Sequence, residues 1–185
     1  MIEDTLLETM EKMEKAVEHT RSQFATVRTG RATPSLVDRI TIEYYGAQVP
    51  LQQLASISVP EARQLLIKPH DRGSLESIEK AIRESDLGVN PGNDGISIRI
   101  SLPQLTEERR REYVKVARNM AEDGRIALRN LRRDARKSME AEEKDGEVSE
   151  DDLERAEKEL EKVTHDHVEL IDDALHRKEQ ELLEV

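Results

Sequence analysis

The sequence has no cysteine and few aromatic rings, and each shortage excludes a class of function. Without cysteine there is no thiolate nucleophile, no disulfide and no cysteine-based zinc site. Three tyrosines and one phenylalanine are too few to stack successive bases, as single-strand binders do. The first residues are acidic where a secretory signal is basic, and no apolar run reaches the length of a membrane span. We therefore expect a soluble cytoplasmic protein.

Negative charge prevails overall but is distributed unevenly along the chain. The formal net charge is −11, from 29 basic and 40 acidic side chains. Residues 1–106 carry 12 basic and 15 acidic side chains, residues 107–137 carry 11 and 6, and residues 138–185 carry 6 and 19. A basic segment is thus followed by a strongly acidic one, and the basic segment is a candidate surface for a polyanion.

Three segments show apolar residues at alternating spacings of three and four, which is typical of helices packed as in a coiled coil. The first spans about residues 2–28, the second follows the predicted N-cap Thr106, and the third follows Ser149. Gly124 lies on the second seam, where glycine costs roughly 1 kcal/mol against alanine and indicates close helix packing. The simplest arrangement that buries three seams is an elongated antiparallel three-helix bundle. The predicted seams are Leu6, Met10, Met13, Val17, Thr20, Phe24 and Val27; Tyr113, Ala117, Met120, Gly124, Ala127, Leu131 and Ala135; and Leu153, Ala156, Leu160, Val163, His167, Leu170 and Ala174.

Between the first two helices the pattern changes to short alternating stretches that predict strands. These strands are predicted at residues 39–45, 55–59, 64–68 and 96–102, with a helix over residues 74–85. The predicted fold class is therefore α+β. A discontinuous bundle of residues 1–30 and 104–185 carries an inserted small β/α/β domain of residues 31–103.

The chain leaves and re-enters the bundle through two short connectors, near residues 31–34 and 102–104. Two connectors side by side restrict the motion of an inserted domain without abolishing it, so we predict a hinge. A fixed elbow is the alternative. The predicted hinge residues are Ala32, Thr33, Leu102 and Pro103.

Motifs for catalysis or metal binding are missing from the sequence. None of the five histidines lies in an HExxH frame, and His165 and His167 point to different faces of a helix. Because His167 falls on the third seam, we expect it to be packed in the core. There is no glycine-rich phosphate loop, no serine nucleophile motif and no EF-hand spacing in the acidic run of residues 140–161. The sequence predicts a binding protein that is not an enzyme, with no cofactor and no metal.

Basic residues of the second helix form one stripe beside its apolar seam. Seven of its eight positions are basic and only Glu122 is acidic; the stripe extends roughly 38 Å. Arginine prevails, and its planar guanidinium suits phosphate. With few aromatic rings, double-stranded or folded RNA is the expected partner. The alternative is an ordinary charged face, partly neutralised by acids of the third helix. The stripe comprises Arg111, Lys115, Arg118, Arg125, Arg129, Arg132 and Arg136, with Arg110 and Arg133 on an adjoining line.

Six motifs, in order along the whole chain, resemble those of the ribosome recycling factor family. One departure is His70, where many members have an aromatic residue after the strand. The motifs are Val27–Ser35 (VRTGRATPS), Tyr44–Gly46 (YYG), Gln53–Ile57 (QLASI), Ser85–Pro91 (SDLGVNP), Leu105–Arg110 (LTEERR) and Arg129–Ala135 (RNLRRDA).

The resemblance implies an L-shaped, monomeric translation factor of about tRNA dimensions. Such a factor binds the bacterial ribosome after termination. With elongation factor G and GTP it splits the subunits and frees mRNA and tRNA, and it hydrolyses nothing itself. In the family, bundle arginines contact large-subunit rRNA, which leaves Arg111, Lys115 and Arg118 as an expected solvated flank. Carried over by motif, the rRNA-binding residues are Arg28, Arg31, Arg110, Arg129, Arg132 and Arg133.

One alternative keeps the helices and changes the partner. A structural coiled-coil adaptor would bind another protein through its acidic third helix. Such binding would survive nuclease treatment of the target, whereas binding to rRNA would not.

Overall fold

The computed structural model describes residues 1–184, and the chain divides into two units. The first unit, the bundle, contains residues 1–29 and continues from Glu107 onwards, while the second unit, the insert, is Gly30–Thr106. Each unit buries an apolar cluster of its own. None of the helices within the described residues is long and apolar enough to cross a membrane.

Three long helices build the bundle: α1 (Ile2–Ala25), α4 (Glu107–Lys144) and α5 (Glu150–Leu183). Each packs against the other two. Ser149 caps α5 as predicted, because its hydroxyl accepts the backbone N–H of Asp152 at 3.1 Å. These helices and the β-containing insert between them confirm the α+β fold class predicted from the spacing.

The buried face of each helix departs in places from the predicted seam. A straight α-helix has 3.6 residues per turn, so a strict seven-residue repeat drifts by about 20° per heptad around its surface. Over helices of 24 to 38 residues this drift moves burial to a neighbouring position. The strict-repeat prediction was wrong at two such places, where Thr9 is buried in place of Met10 and Ile171 in place of Leu170. On α4, Ala127 of the predicted seam is exposed, whereas Leu128, which was expected to widen that seam, is buried.

Polar side chains in the bundle core are satisfied by the helix that carries them. The hydroxyl groups of Thr9, Thr20 and Thr164 donate to the carbonyl oxygens four residues earlier, at 2.6, 3.0 and 2.7 Å. His167 is buried, with Nδ1 2.7 Å from the Val163 carbonyl oxygen. The expectation that His167 is a packed residue is confirmed.

The insert contains two antiparallel sheets and two helices. A hairpin pairs β1 with β2, and a second sheet has the strand order β3-β4-β6-β5. The buried residues of α3 are Leu75, Ile78 and Ile82, as the sequence predicted. The elements are β1 (Thr41–Tyr44), β2 (Ala47–Pro50), α2 (Leu51–Leu54), β3 (Ala55–Glu61), β4 (Gln64–Pro69), α3 (Leu75–Arg83), β5 (Gly92–Asn93) and β6 (Ile98–Ser101).

Sequence patterns placed the longer strands of the insert but missed its short elements. Strand β2 has one partly buried residue among four, so it shows no alternation for a pattern to detect. Strand β3 continues through Pro60, where a stop was predicted. This is possible because β3 lies at the sheet edge and its register with β4 shifts between Ser58 and Glu61. The ring of His70 is exposed, so its departure from the family pattern does not disturb the core.

The loop before β6 is held by one carboxylate. Asp94 accepts hydrogen bonds from the backbone N–H groups of Ser97 at 2.7 Å and Ile96 at 3.0 Å, and from the Ser97 hydroxyl at 2.9 Å. The bond from the Ser97 N–H contributes most to lowering the pKa of Asp94 to about 2. Stability from these bonds is present above the carboxyl's unfolded pKa and is lost as the pH falls through about 2. The segment is thus a structural turn.

Candidate nucleic-acid interface

The arginine stripe of α4 lies along the flank that faces α5. Four of its members form ion pairs with α5 carboxylates. From one pair to the next the residue number rises on α4 and falls on α5, which shows that the two helices are antiparallel. These four pairs are the partial neutralisation by the third helix that the alternative interpretation of the stripe expects. The pairs are Arg118–Glu179 at 2.7 Å, Arg125–Asp172 at 2.6 Å, Arg132–Glu161 at 3.3 Å and Arg136–Glu157 at 3.2 Å.

Arg125 is the most enclosed of the paired arginines, with its side chain 21% exposed. Partial burial alone would lower the pKa of its guanidinium, but hydrogen bonds to Asp172 and Glu122 raise that pKa above its usual value. The sequence made Glu122 the one interruption of the stripe. In the structure it accepts from both Arg125 and Arg129. Glu122 precedes these arginines by three and by seven residues, and this spacing was the feature of the sequence from which the two contacts could have been predicted.

Three further arginines of α4 do not reach α5. Arg129 is 51% exposed and pairs only along its own helix, with Glu122 at 3.3 Å. Arg133 is 63% exposed and pairs with the adjacent Asp134 at 3.8 Å. Arg110 is half-buried and forms no ion pair within residues 1–184. These guanidinium groups keep their outward hydrogen-bonding capacity.

Five of the six arginines identified by motif belong to the bundle and one, Arg31, belongs to the insert. Arg129, Arg132 and Arg133 lie within about one turn of α4. Arg110 lies 19 residues earlier, which is roughly 28 Å along the helix axis. Arg28 is exposed and follows the C-terminal end of α1. Arg31 is also exposed, at the start of the insert.

Arg28 and Arg110 belong to the same end of the bundle. A Cβ built on Gly124 would lie 2.4 Å from the Thr20 hydroxyl, so these two positions of α1 and α4 are opposite one another. Thr5 donates to Glu142, near the other end of α4, at 3.3 Å, so α1 and α4 run antiparallel. Residues after Thr20 on α1 are therefore level with residues before Gly124 on α4.

Both connectors are fastened to one turn of the insert. The backbone N–H of Ala32 donates to the Ala62 carbonyl, and that of Leu102 donates to the Arg63 carbonyl, each at 2.8 Å. Ala62 and Arg63 form the turn between β3 and β4. Ala32 is buried and Leu102 packs against the insert's core, so both predicted hinge residues are built into the insert. Between these anchors and the long helices lie residues 26–31 and 103–106.

The other two predicted hinge residues differ in their surroundings. Thr33 shares a hydrogen bond between its hydroxyl and that of Ser35 at 2.7 Å, at the start of a 3₁₀ turn over Pro34–Val37. Pro103 is exposed and lies outside the regular elements.

Within residues 1–184, no group of three or more histidine, aspartate or glutamate side chains could hold a metal ion.

Comparison with known proteins gives one consistent family. The family described as Ribosome recycling factor matches residues 20–183. Proteins named Ribosome-recycling factor from Kineococcus radiotolerans and Acidothermus cellulolyticus are each 59% identical over 185 residues, and that from Thermobifida fusca is 58% identical, with full coverage of both chains in every case.

Two solved structures resemble the whole chain. A solution structure of a ribosome recycling factor matches with a TM-score of 0.81 and 43% identity, over 100% of this chain and 98% of the other. The second is the T. thermophilus ribosome recycling factor, described together with E. coli elongation factor G as bound to the E. coli post-termination complex. It matches with a TM-score of 0.68 and 42% identity, over 100% of both chains.

Proposed function

This chain belongs to the ribosome recycling factor family, and from that premise we propose that it binds ribosomes after termination. Acting with elongation factor G and GTP, it splits the subunits and releases mRNA and tRNA. The observation that carries this proposal is its full-length likeness to a family member bound, with elongation factor G, to a post-termination complex. Its place of action is the cytoplasm, and it acts as a monomer.

The bundle supplies the rRNA-binding face. Arg129 and Arg133 are its central phosphate ligands, because their carboxylate partners lie on α4 and are exposed. Exposed ion pairs contribute only about 0–1 kcal/mol, so exchanging Glu122 or Asp134 for a phosphate costs little. Arg132 joins them by leaving Glu161, to which it is bound at 3.3 Å. Arg28 and Arg110, at one end of the bundle, and Arg31, in the insert, are the further phosphate ligands of this proposal.

The insert transmits the action of elongation factor G. In this proposal GTP hydrolysis belongs to elongation factor G, and the present chain contributes no catalytic group. Because Ala32 and Leu102 are hydrogen-bonded to the β3–β4 turn, these two connector residues move with the insert as one body. The pivot is therefore assigned to residues 29–31 and 103–106, where Gly30 has a φ of +78°.

The α5 carboxylates favour this function over a coiled-coil adaptor. Glu157, Glu161, Asp172 and Glu179 are each directed to an arginine of α4. An acidic helix whose carboxylates serve its own bundle has fewer of them left for a protein partner. No separate observation supports the adaptor.

Subunit splitting can be followed directly by light scattering. Purified post-termination ribosomes are mixed with the chain, elongation factor G and GTP, in the presence of an initiation factor that keeps the subunits apart. We expect scattering to fall only when the chain, elongation factor G and GTP are all present. The control replaces GTP with a non-hydrolysable analogue. Scattering that stays constant in the complete mixture would refute the proposed function.

A further inference from the structure

The hairpin of β1 and β2 presents an aromatic residue in a backbone conformation that aromatic residues rarely adopt. Tyr44 pairs with Ala47, so the turn consists of Tyr45 and Gly46. Their φ angles are +49° and +79°. Positive φ at both positions characterises a type I′ turn, where asparagine, aspartate or glycine is favoured at the first position. Tyr45 is the one non-glycine residue with positive φ within residues 1–184, and for a bulky side chain such a conformation is strained.

The ring of Tyr45 is exposed yet held in place. Tyr45 as a residue is 89% exposed, so the fold gains little burial from it. The rings of Tyr44 and Tyr45 meet edge to face, with centroids 4.5 Å apart and an interplanar angle of 77°. Tyr44 donates its hydroxyl to Asp71 at 3.1 Å, and Asp71 in turn accepts the Gly73 N–H at 2.9 Å. A strained, ordered ring that contributes little to folding indicates a contact with another molecule.

Charge around this tip favours a cationic protein surface over a nucleic acid. Glu43 is the only charged side chain of the hairpin over residues 41–50, and Asp71 adds a second carboxylate, with Arg72 beside it in the sequence. Across Gly30–Thr106 there are 8 basic and 9 acidic residues, so the insert has no excess of positive charge to attract phosphates. A lysine or arginine side chain binds well over an exposed tyrosine ring, particularly when carboxylates are near.

We propose that the tip formed by Tyr44 and Tyr45 is a docking site for a basic protein of the post-termination complex. An arginine or lysine of that protein lies on the exposed ring of Tyr45, next to Glu43. The inference rests on the proposed function, because it places the partner in that complex. It adds a contact made by the insert, separate from the arginines of the bundle.

Substitution by asparagine separates the ring's role in docking from its role in folding. Asparagine suits the turn better than tyrosine, so Tyr45→Asn is expected to keep or raise the urea midpoint and to keep ribosome cosedimentation. Its splitting rate is expected to fall several-fold, and Tyr45→Trp is expected to restore it because tryptophan is the best cation–π ring. Ile96→Asn is the matched control, since Ile96 is also exposed on the insert, at 60%; it should split at the wild-type rate.

A photoreactive side chain identifies the class of partner. The full chain carrying p-benzoylphenylalanine at position 45 is irradiated on purified post-termination ribosomes with elongation factor G. We expect an adduct that resists ribonuclease and is removed by protease. An RNA adduct, no adduct, or a wild-type splitting rate for Tyr45→Asn would each overturn the inference. If the proposed function itself fails, the wild-type chain does not split ribosomes at all, so the two failures are distinguishable.

Discussion

Replacing Arg110, Arg129 and Arg133 together with alanine is expected to weaken ribosome binding on the order of 100-fold. A hydrogen bond to a charged group contributes about 1.5–3 kcal/mol when well made, and less when solvent screens it. Each phosphate contact also releases bound counterions, so the slope of log affinity against log salt should become shallower by about two to three. Cosedimentation with large subunits over a series of salt concentrations measures both quantities.

A second triple variant with the same charge change tests whether position matters. Arg118, Arg125 and Arg136 lie on the same helix but pair with α5. Replacing them with alanine removes three ion pairs with α5 and two within α4, so it should lower the urea midpoint of the bundle slightly, while ribosome affinity changes little. Equal losses of affinity in the two triple variants would show that net charge, and not the outward-facing arginines, determines binding.

Glu161 offers a change in the opposite direction. Glu161→Gln removes the α5 partner of Arg132, so this guanidinium no longer has to exchange a carboxylate for a phosphate. The variant is expected to bind ribosomes several-fold more tightly, whereas Arg132→Ala binds more weakly. Weaker binding by Glu161→Gln would mean that Arg132 is needed in its α5-bound position.

Alanine at Gly124 is expected to destabilise the bundle by up to about 2 kcal/mol, although alanine normally favours helices. Its Cβ would lie 2.4 Å from the Thr20 hydroxyl oxygen and 2.9 Å from Cδ1 of Ile171. Overpacking of this kind costs about 1–3 kcal/mol, which exceeds the roughly 1 kcal/mol gained from helix propensity. Urea denaturation followed by circular dichroism gives the free energy of unfolding.

Two controls separate the steric clash from helix propensity. Ala127 is exposed on the same helix, so Ala127→Gly measures propensity alone and should cost about 1 kcal/mol. Adding Thr20→Ala to Gly124→Ala removes the closest atom, and it should recover part of the loss through a coupling energy above about 0.5 kcal/mol. A Gly124→Ala chain more stable than wild type would contradict the close approach of α1 and α4.

Local sequence signals predicted the long helices and the longer strands of this fold but could not predict how the flanks of the helices pair. The spacing of apolar residues located the helices, and Ser149 with its acidic first turn located the start of α5. Whether Arg118 or Arg133 faces α5 depends on how three seams pack together, which spacing along one helix does not contain. A difference of one position around α4 separates an arginine bound to α5 from an outward one.

The connectors and the hairpin tip show a second limit of sequence patterns. Ala32 and Leu102 are fixed by backbone hydrogen bonds to Ala62 and Arg63, and such bonds leave no trace in residue type. The small number of aromatic residues is an argument against base stacking. It did not reveal that Tyr45 lies exposed at a strained turn, because that depends on the register of β1 with β2.

In the proposed mechanism the bundle binds the ribosome, elongation factor G acts on the insert, and two connectors couple the two. The most direct test inserts Gly-Gly after Thr29 and again after Gln104, and then measures ribosome affinity and splitting rate on the same chain. Each unit has its own core, so both should fold; Gly-Gly after Gly146, in the turn between α4 and α5, is the control. We predict near-normal affinity with splitting reduced to the rate seen without the chain. Splitting at the wild-type rate by the lengthened chain would contradict the account.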